Sequence, residues 1–415
     1  YNGVMETVEL FTAALNLRSP WKVEKVEFRE VEDELMELHI HIGFVRGGSF
    51  SCPAGGCKEE LTAYDSTERT WRHLNFFQYK TYIHARQPRV KCPEHGVKTV
   101  DVPWARPGSG FTLLFESWCL ELAKHVPVSV IADQVGEHDT RLWRFISYYV
   151  EKARKDEDYS GVDGIGIDET SKKGQNYITV AVDLKEKRVI FVTDGKDSGT
   201  VDAIASDFVA HKGNKDNIKV VTCDMSLGFK KGIEENFRNA DTVIDKFHVI
   251  KHMNEAVDST RKEEVKTNAE LKNTKYIFLK NEENLTESQR ARKKSLMKKH
   301  LKTGRAMMIR EELQSVYEEA SDRDDAEKRL KKLVGWISRC RIPHVKEFGR
   351  LLKNHWDDIL NYFDYRLTNA ILEGTNSVIQ NIKRRSRGFR NTEYFITMIY
   401  LSCGKLPLRR YLVKV

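Results

Sequence analysis

Three acidic side chains in this chain stand where divalent metal ions could be held. Asp168 follows the apolar run 165–167, and Asp224 follows the apolar run 218–222. Each aspartate would therefore emerge where a buried strand opens to solvent. Carboxylate oxygens are the ligands that magnesium prefers, and two such ions about 4 Å apart can drive phosphodiester cleavage. A strand-terminal aspartate can equally be a turn residue or a helix cap, so the pattern alone leaves both interpretations open.

The third carboxylate, Glu373, lies in a segment with helical spacing from Leu367 to Gln380. At about 100° per residue, one face of this helix is apolar and the opposite face carries short polar side chains. The apolar face is Leu367, Ile371, Gly374 and Val378, and the polar face is Asn369, Glu373, Asn376 and Gln380. A solvated surface would favour Lys and Glu, so amides beside a single glutamate indicate a lined site.

Four other residues have the spacing of a zinc site. Cys52 and Cys57 form a C-x4-C pair, Cys92 and His95 form a C-x2-H pair, and 34 residues separate the two pairs. Three thiolates and one imidazole make a closed tetrahedral site for structural zinc. His73 and His84 are alternative ligands. The remaining cysteines are scattered in apolar surroundings, which favours core packing over disulfide bonds; they are Cys119, Cys223, Cys340 and Cys403.

The elements that must position these residues begin with an N-terminal helix at 4–15 and a strand pair at 23–30 and 35–45. After the cysteine region, Pro127 and Gly136 bracket a helix, which predicts a helix-turn-helix from Val128 to Val150. Arg141 and Arg144 lie on its second helix, the element that normally enters the major groove of DNA. Helical hairpins of this length also occur in protein cores that bind no DNA.

From Gly164 the periodicity changes to short strands. Three strands, a helix, a strand, a helix and a further strand follow in the order βββαβαβ, which is the order of a ribonuclease H-like core. Residues 249–362 are long, charged and helical, and a last helix follows at about 366–383. The fold class is therefore α/β, with a ribonuclease H-like core that a helical insertion interrupts, preceded by a zinc-binding module and a helix-turn-helix.

The basic excess is concentrated in that insertion. Residues 261–340 hold 21 Lys and Arg against 14 Asp and Glu, which leaves 48 against 47 for the rest of the chain. A concentrated basic excess suits a phosphate backbone, so we expect the insertion to grip DNA; a solvated helical face is the alternative. Trp336 or Trp356 could stack on a flipped base, although core packing is the better interpretation of both.

The composition and the first residues indicate neither a membrane-spanning nor a secreted protein. The chain has 415 residues, 31% of them charged, and contains no apolar run of membrane-spanning length. Its first residues show neither the basic nor the apolar region of a secretory signal, so we expect a cytoplasmic protein. The length allows two or three domains.

Three segments make the chain similar to a known family. Residues 368–376 with 379–389 resemble the segment around the last acidic residue in bacterial insertion-sequence transposases of the ISL-three type, and residues 166–169 and 243–249 resemble other blocks of that family. The resemblance spans roughly residues 50–410. It implies that Asp168, Asp224 and Glu373 form a DDE triad that binds two magnesium or manganese ions. The family commonly has C-x2-C pairs, so the wider first pair and His95 are departures.

The resemblance implies a transposase that binds the terminal inverted repeats of its element and catalyses strand cleavage and strand transfer on double-stranded DNA, as a homodimer or larger assembly. Catalytically inactive DNA-binding regulators and ribonuclease H-fold nucleases without transposition are the alternatives. The expected domains are an N-terminal helix and strand pair at 1–50, a zinc module at 51–105, a helix-turn-helix domain at 111–155, a catalytic core at 162–248 and 363–400, and an insertion at 249–362.

Further residues could complete the site. Glu169 is a competing metal ligand, although strand alternation would point it to the opposite face from Asp168. Asp245 and His248 could contact DNA or orient a metal-bound water, or be a helix cap and a first-turn histidine; Asn376 shares the polar face of Glu373. A basic cluster after the last helix would hold DNA near the scissile phosphate: Lys383, Arg384, Arg385, Arg387 and Arg390.

Overall fold

The computed structural model describes residues 6–31, 35–174, 176–367 and 370–411. The chain forms two compact units. The first contains residues 1–155, 391–401 and 406–415, and the second contains residues 156–390 and 402–405. None of the helices within the described ranges is long and apolar enough to cross a membrane.

The N-terminal part of the first unit is mostly sheet. Its elements are α1 (Thr7–Ala14), β1 (Trp21–Glu30), β2 (Met36–Phe44), β3 (Ser49–Ser51), β4 (Glu60–Thr62), β5 (Asp65–Phe76), β6 (Tyr79–Cys92) and β7 (Gly96–Thr99). The main sheet has the order β1-β2-β6-β5, with β7 paired to β6, and only the β2–β6 pairing is parallel. The β1–β2 pair confirms the predicted strand pair. Buried tryptophans, among them Trp21, Trp71 and Trp104, fill the core under this sheet.

Three helices continue the first unit: α2 (Leu113–Ala123), α3 (Val128–Val135) and α4 (Asp139–Lys155). Gly136 ends α3 in the left-handed conformation with φ 65°, where a side chain would be strained, so the chain turns sharply between α3 and α4. Leu142, Phe145 and Ile146 of α4 are buried at helical spacing. The two helices and the glycine turn agree with the predicted helix-turn-helix pattern.

The second unit is built on a five-stranded mixed sheet with flanking helices. Its first elements are β8 (Gly164–Lys173), β9 (Asn176–Asp183), β10 (Arg188–Asp194), α5 (Ser198–Ala210), β11 (Val220–Cys223), α6 (Leu227–Asn236) and β12 (Asp241–Ile244). The sheet order is β10-β9-β8-β11-β12, antiparallel up to β8 and parallel from β8 to β12. The element order is the predicted βββαβαβ.

Helices fill the next 120 residues. They are α7 (Lys246–Glu264), α8 (Lys275–Leu279), α9 (Glu287–Met297), α10 (Lys302–Glu319), α11 (Arg323–Arg339), α12 (Pro343–Asn354) and α13 (Trp356–Tyr365). Their buried side chains form one core that also includes Val243 and Ile244 of β12. Trp336 and Trp356 pack against this core, which favours a structural role for both and leaves little ring surface for stacking on a base.

Two helices complete the described chain: α14 (Ala370–Arg385) and α15 (Thr392–Cys403). Residues 391–401, which include most of α15, group with the first unit. The extent of the catalytic core expected from the sequence, residues 162–248 and 363–400, stays a prediction. Tyr394 stacks on Trp143 of α4 at 4.1 Å between ring centroids, and the Arg154 guanidinium lies 4.2 Å from the centre of the Tyr400 ring. These contacts join α15 to α4, which lies far from it in the sequence.

Candidate functional site

Asp168 lies in the middle of β8 rather than at a strand end. The parallel pairing of β8 with β11 runs from Gly164 to Gly166, and β8 then continues with β9 alone, so that Asp168 pairs with Val180. The expectation of a strand-terminal aspartate was wrong because the β8–β9 hairpin extends well beyond the parallel part of the sheet. Asp168 nevertheless stands where β11 no longer covers the edge of β8.

Both carboxylate oxygens of Asp168 accept hydrogen bonds. Oδ1 accepts from the backbone N–H of Glu169 at 2.8 Å, and Oδ2 accepts from Nδ2 of Asn376 at 2.7 Å. Burial raises the pKa of Asp168 to about 6, and the negative charge of Asp224 adds to the rise while these hydrogen bonds and His248 oppose it. A half-buried carboxylate that feels a second carboxylate is a site that favours a cation.

Asp224 follows β11 directly and is half-buried. Its Oδ1 accepts a hydrogen bond from the backbone N–H of Ser226 at 2.9 Å, which fixes the side chain at the start of α6. Because β8 and β11 are adjacent and parallel, Asp224 and Asp168 emerge at the same edge of the sheet.

The helix that carries Glu373 runs along β8. Leu372 contacts Gly166, where an added Cβ would meet Leu372 Cδ1 at 3.0 Å; Asn376 binds Asp168; and Nε2 of Gln380 donates to Oγ1 of Thr170 at 2.7 Å. Four helical residues advance about 6 Å and two strand residues about 6.6 Å, so α14 and β8 stay in step.

Glu373 itself is exposed and lies about 60° around the helix from Asn376. Of the expected polar face, Asn376 and Gln380 contact β8. Asn369 lies outside the described residues. The expected apolar face was wrong. The buried apolar residues of α14 are Leu372, Ile379 and Ile382, and Val378 is exposed.

Asp168 and Asp224 are close enough for their charges to interact, but the three carboxylates do not form a preassembled cage. Among the residues that the structure describes, the one group of three or more His, Cys, Asp or Glu side chains with all ligand atoms within 4.8 Å is the Cys52 group. Asp168, Asp224 and Glu373 are not such a group.

Asp245 and His248, the two other candidates near the acidic residues, face different parts of the structure. Asp245 is buried, and its Oδ1 has no hydrogen-bond partner among the described residues. Its charge adds to the effect of burial in raising the pKa of Tyr317 and of Tyr362, so it faces the helical core. His248, one turn later, instead lies near Asp168, whose pKa its charge lowers.

Glu169 is half-buried. Burial raises its pKa, the charges of Lys196 and Lys251 oppose that rise, and its carboxylate lies 3.9 Å from the Lys196 ammonium. Glu169 is therefore paired with a lysine, and strand alternation points its side chain away from that of Asp168.

The Cys and His residues of the first unit form a compact tetrad. Cys92 Sγ lies 3.5 Å from His95 Nδ1 and 3.8 Å from Cys57 Sγ, and Cys52 Sγ lies 3.9 Å from His95 Nδ1. Four ligands placed about 2.0–2.3 Å from one ion in tetrahedral geometry would be separated by similar distances, so the set fits zinc. Burial opposes ionisation, but hydrogen bonds from His95 and the backbone lower the pKa of Cys92 to about 7.

The two alternative zinc ligands lie elsewhere. His73 Nδ1 is 2.9 Å from Thr112 Oγ1, and His84 Nε2 is 2.7 Å from His39 Nδ1. Neither belongs to the tetrad.

The basic residues expected to contact DNA differ in their exposure and in their interaction partners. Arg144 is exposed on α4, whereas Arg141 forms an ion pair with Glu137 and lies 4.5 Å from the centre of the Phe111 ring. The basic cluster spans the last turn of α14 and the residues after it, and Lys383 Nζ donates to the backbone oxygen of Ser171 at 2.8 Å, which helps to hold α14 on β8. Arg384, Arg387 and Arg390 are exposed, and burial lowers the pKa of Arg385.

Two exposed apolar side chains at this edge were not singled out from the sequence. Leu227 begins α6 and Phe247 lies in the first turn of α7. A signal was present for Phe247, because it is out of phase with the buried face Val249, Met253 and Val257.

Comparison with known proteins agrees with this arrangement. Residues 165–399 match a family model described as a transposase of the DDE ISL3 type, residues 100–150 match a helix-turn-helix domain of transposase family ISL3, and residues 49–95 match a zinc finger of transposases IS204/IS1001/IS1096/IS1165. The chain is 28% identical to the transposase for insertion sequence element IS1557 of Mycobacterium tuberculosis, over 96% of each chain. It is 25% identical to the transposase for insertion sequence element IS1001 of Bordetella parapertussis, over 81% of this chain and 84% of that one.

Proposed function

The chain belongs to the ISL3 family of insertion-sequence transposases, and from this premise we propose that Asp168, Asp224 and Glu373 hold two divalent metal ions at which DNA is cut and rejoined. One observation carries the proposal: Asn376 of α14 is hydrogen-bonded to Asp168 of β8, with Glu373 one helical turn earlier. This contact relates the helix of the third carboxylate to the strand of the first.

The chemistry of the donor set supports magnesium or manganese. Hard divalent cations prefer carboxylate oxygens, and burial with like charge at Asp168 and Asp224 favours a cation between them. When bound, a pair of such ions supplies an activated nucleophile and stabilises the leaving oxygen. The exposure of Glu373 suggests that this side chain closes on the site when metal and DNA bind.

The chain's own residues then have separable tasks. Asn376 orients Asp168, the backbone at Ser226 orients Asp224, and Gln380 and Lys383 hold α14 against β8. His248 faces Asp168 and orients the attacking water. Asp245 is buried and faces Tyr317 and Tyr362 of the helical core, so we assign it no metal.

The fold supports finer assignments. The mixed sheet with β8 at its centre is organised as in a ribonuclease H-like core, with the helices from α7 to α13 as an insertion between β12 and α14. The basic excess of that insertion suits the DNA flanking the cut, and so do the exposed arginines after α14. The zinc module and α4, with Arg144, recognise the terminal inverted repeats, and joining two ends requires a dimer or larger assembly.

A cleavage assay tests the proposal. Purified protein is mixed with labelled DNA that carries the ends of the element, with magnesium or manganese. We expect the native chain to cleave at the ends and Asp224→Asn to bind the DNA without cleaving it. Asp216→Asn, an exposed aspartate just before β11, is the matched control and should cleave normally. Normal cleavage by Asp224→Asn would refute the triad, and binding without cleavage by the native chain would indicate a regulator.

A further inference from the structure

Two large apolar side chains are exposed at the edge of the sheet that carries the acidic residues. Leu227 is 72% exposed and lies three residues after Asp224; Phe247 is 55% exposed and lies next to His248. Single exposed apolar residues are ordinary on protein surfaces. These two, however, follow the neighbouring parallel strands β11 and β12 at the same edge, which is the edge that DNA must approach.

Phe247 lines a cavity of about 380 Å³ between α7 and α8. Its apolar walls are Phe247, Ile250 and Leu279, and its polar walls include Lys251, Asn254 and Lys275. Asn254 also lines the cavity, but its Oδ1 atom is buried and does not face the opening. A cavity of this size can hold a small, flat ligand.

The charge around the cavity favours an anionic strand. Two acidic side chains line the cavity. The oxygens of Asp258 lie 2.7 Å from Arg261 and 3.0 Å from Lys262, and Glu255, which is exposed, lies 3.3 Å from His252. Lys251 and Lys275 are exposed at the rim. Lys251 is also close enough to Glu169 for its charge to act on that carboxyl, so the cavity opens near the acidic residues.

We propose that this cavity receives one unpaired nucleobase of the DNA strand next to the scissile phosphate, with the ring of Phe247 stacked on the base and Lys251 and Lys275 beside the strand's phosphates. The inference rests on the proposed cleavage function. A base has a flat face that can stack on the ring of Phe247, whereas an aliphatic ligand has none. Stacking tolerates any base, so the subsite unpairs the end without reading its sequence.

The test uses DNA ends with 2-aminopurine, a base whose fluorescence rises when it leaves the stack, at each position around the cut. Binding is measured without divalent metal so that the strands stay intact. We expect the native protein to raise the fluorescence at one position and Phe247→Ala to abolish the rise. Tyr276→Ala removes another exposed aromatic ring, 62% exposed on α8, and should behave like the native protein.

Cleavage rates give a second readout. On fully paired ends Phe247→Ala should cleave roughly 5- to 150-fold more slowly, as expected for the loss of one base–aromatic stack. On ends with a mismatch at the responsive position, the deficit should largely disappear because the base is already unpaired. Phe247 is exposed, and matching thermal unfolding of the variant and the native protein excludes a folding defect.

The outcomes separate the two proposals. If the native protein cleaves ends and Phe247→Ala cleaves them equally fast with an unchanged fluorescence rise, the base subsite is wrong and the cleavage function stands. An equal deficit of Phe247→Ala on paired and mismatched ends also overturns the subsite. If the native protein does not cleave, both proposals fail.

Discussion

Nδ2 of Asn376 donates a 2.7 Å hydrogen bond to Oδ2 of Asp168, although 208 residues separate the two along the chain. This bond joins the helix of the third carboxylate to the strand of the first. It also stabilises the ionised form of Asp168, because a donor to a carboxylate lowers its pKa.

Replacing Asn376 with alanine should therefore slow DNA cleavage by about 10- to 100-fold, since a hydrogen bond to a charged group contributes about 1.5–3 kcal/mol. Asn376→Asp should be more damaging, because it sets a like charge against Asp168. Asn381→Ala is the matched control on the same helix: Asn381 is exposed and its side chain accepts only from Arg384 among the described contacts. Cleavage rates of Asn376→Ala and Asn381→Ala that do not differ would rule out an orienting role.

The close approach of α14 to β8 depends on a glycine. A Cβ at Gly166 would lie 3.0 Å from both Leu184 Cδ2 and Leu372 Cδ1, so Gly166→Ala should force α14 outward and lower the free energy of unfolding by about 1–3 kcal/mol. Cleavage should fall as well, because Glu373 moves with the helix. Urea unfolding and the cleavage assay measure the two effects.

Gly335→Ala provides the comparison for that variant. Gly335 lies in the interior of α11, and the nearest atom to its added Cβ is Arg339 Nη1 at 3.7 Å. This change should leave stability equal or raise it by up to about 1 kcal/mol, since alanine favours helices. Gly166→Ala with the same stability as Gly335→Ala would show that the contact with Leu372 is not tight.

Metal binding should depend on pH through Asp168. Its pKa of about 6 lies above the ordinary value of 3.8, so without metal the folded state takes up a proton more readily than the unfolded chain. The contribution of this group to stability is therefore present at low pH and is lost as pH rises towards 6. A divalent cation needs the ionised carboxylate, so its affinity should fall by up to about tenfold per pH unit below pH 6.

Thermal unfolding with and without magnesium at pH 5 and pH 7.5 measures this effect, and the difference between the paired curves cancels the titration of other groups. Magnesium should raise the unfolding temperature clearly at pH 7.5 and little at pH 5. Asp168→Asn should show no such dependence. Equal stabilisation of the native protein at both pH values would mean that Asp168 is not a metal ligand.

The zinc tetrad should hold one ion per chain. Cys92→Ser should lose that ion, measured by atomic absorption, and should bind the DNA ends more weakly, because the first unit loses a structural crosslink. Cys403→Ser, at a partly buried cysteine outside the tetrad, should keep both zinc and DNA binding. Full zinc content in Cys92→Ser would exclude Cys92 as a ligand.

The sequence was most informative where apolar runs are followed by acidic residues. Ile165, Ile167 and Val221 are buried in the core of the second unit, so periodicity located β8 and β11 and the aspartates that follow their buried residues. The tetrad could also be predicted from the sequence, because the spacing of its cysteines and histidine is typical of a metal site.

Periodicity failed where polar side chains are satisfied by a distant partner. On α14 it grouped Ile371 with Val378, whereas the packed face contains Asn376 and Gln380, whose amides bond to β8. A periodicity argument places polar residues on the exposed face unless their hydrogen-bond partners are known. The partner of Asn376 lies more than 200 residues away in the sequence. The long strands β5 and β6 were missed in the same way, because charged and polar residues occupy much of them.

The return of α15 to the first unit has a consequence for synthesis. The helix that carries Arg144 is packed by Tyr394 and Tyr400, and Asp168 is packed by Asn376 of α14. A ribosome must therefore synthesise α14 before Asp168 gains this partner, and α15 before α4 gains its own. A fragment that ends before α15 would have a complete α4 without the rings that pack against it.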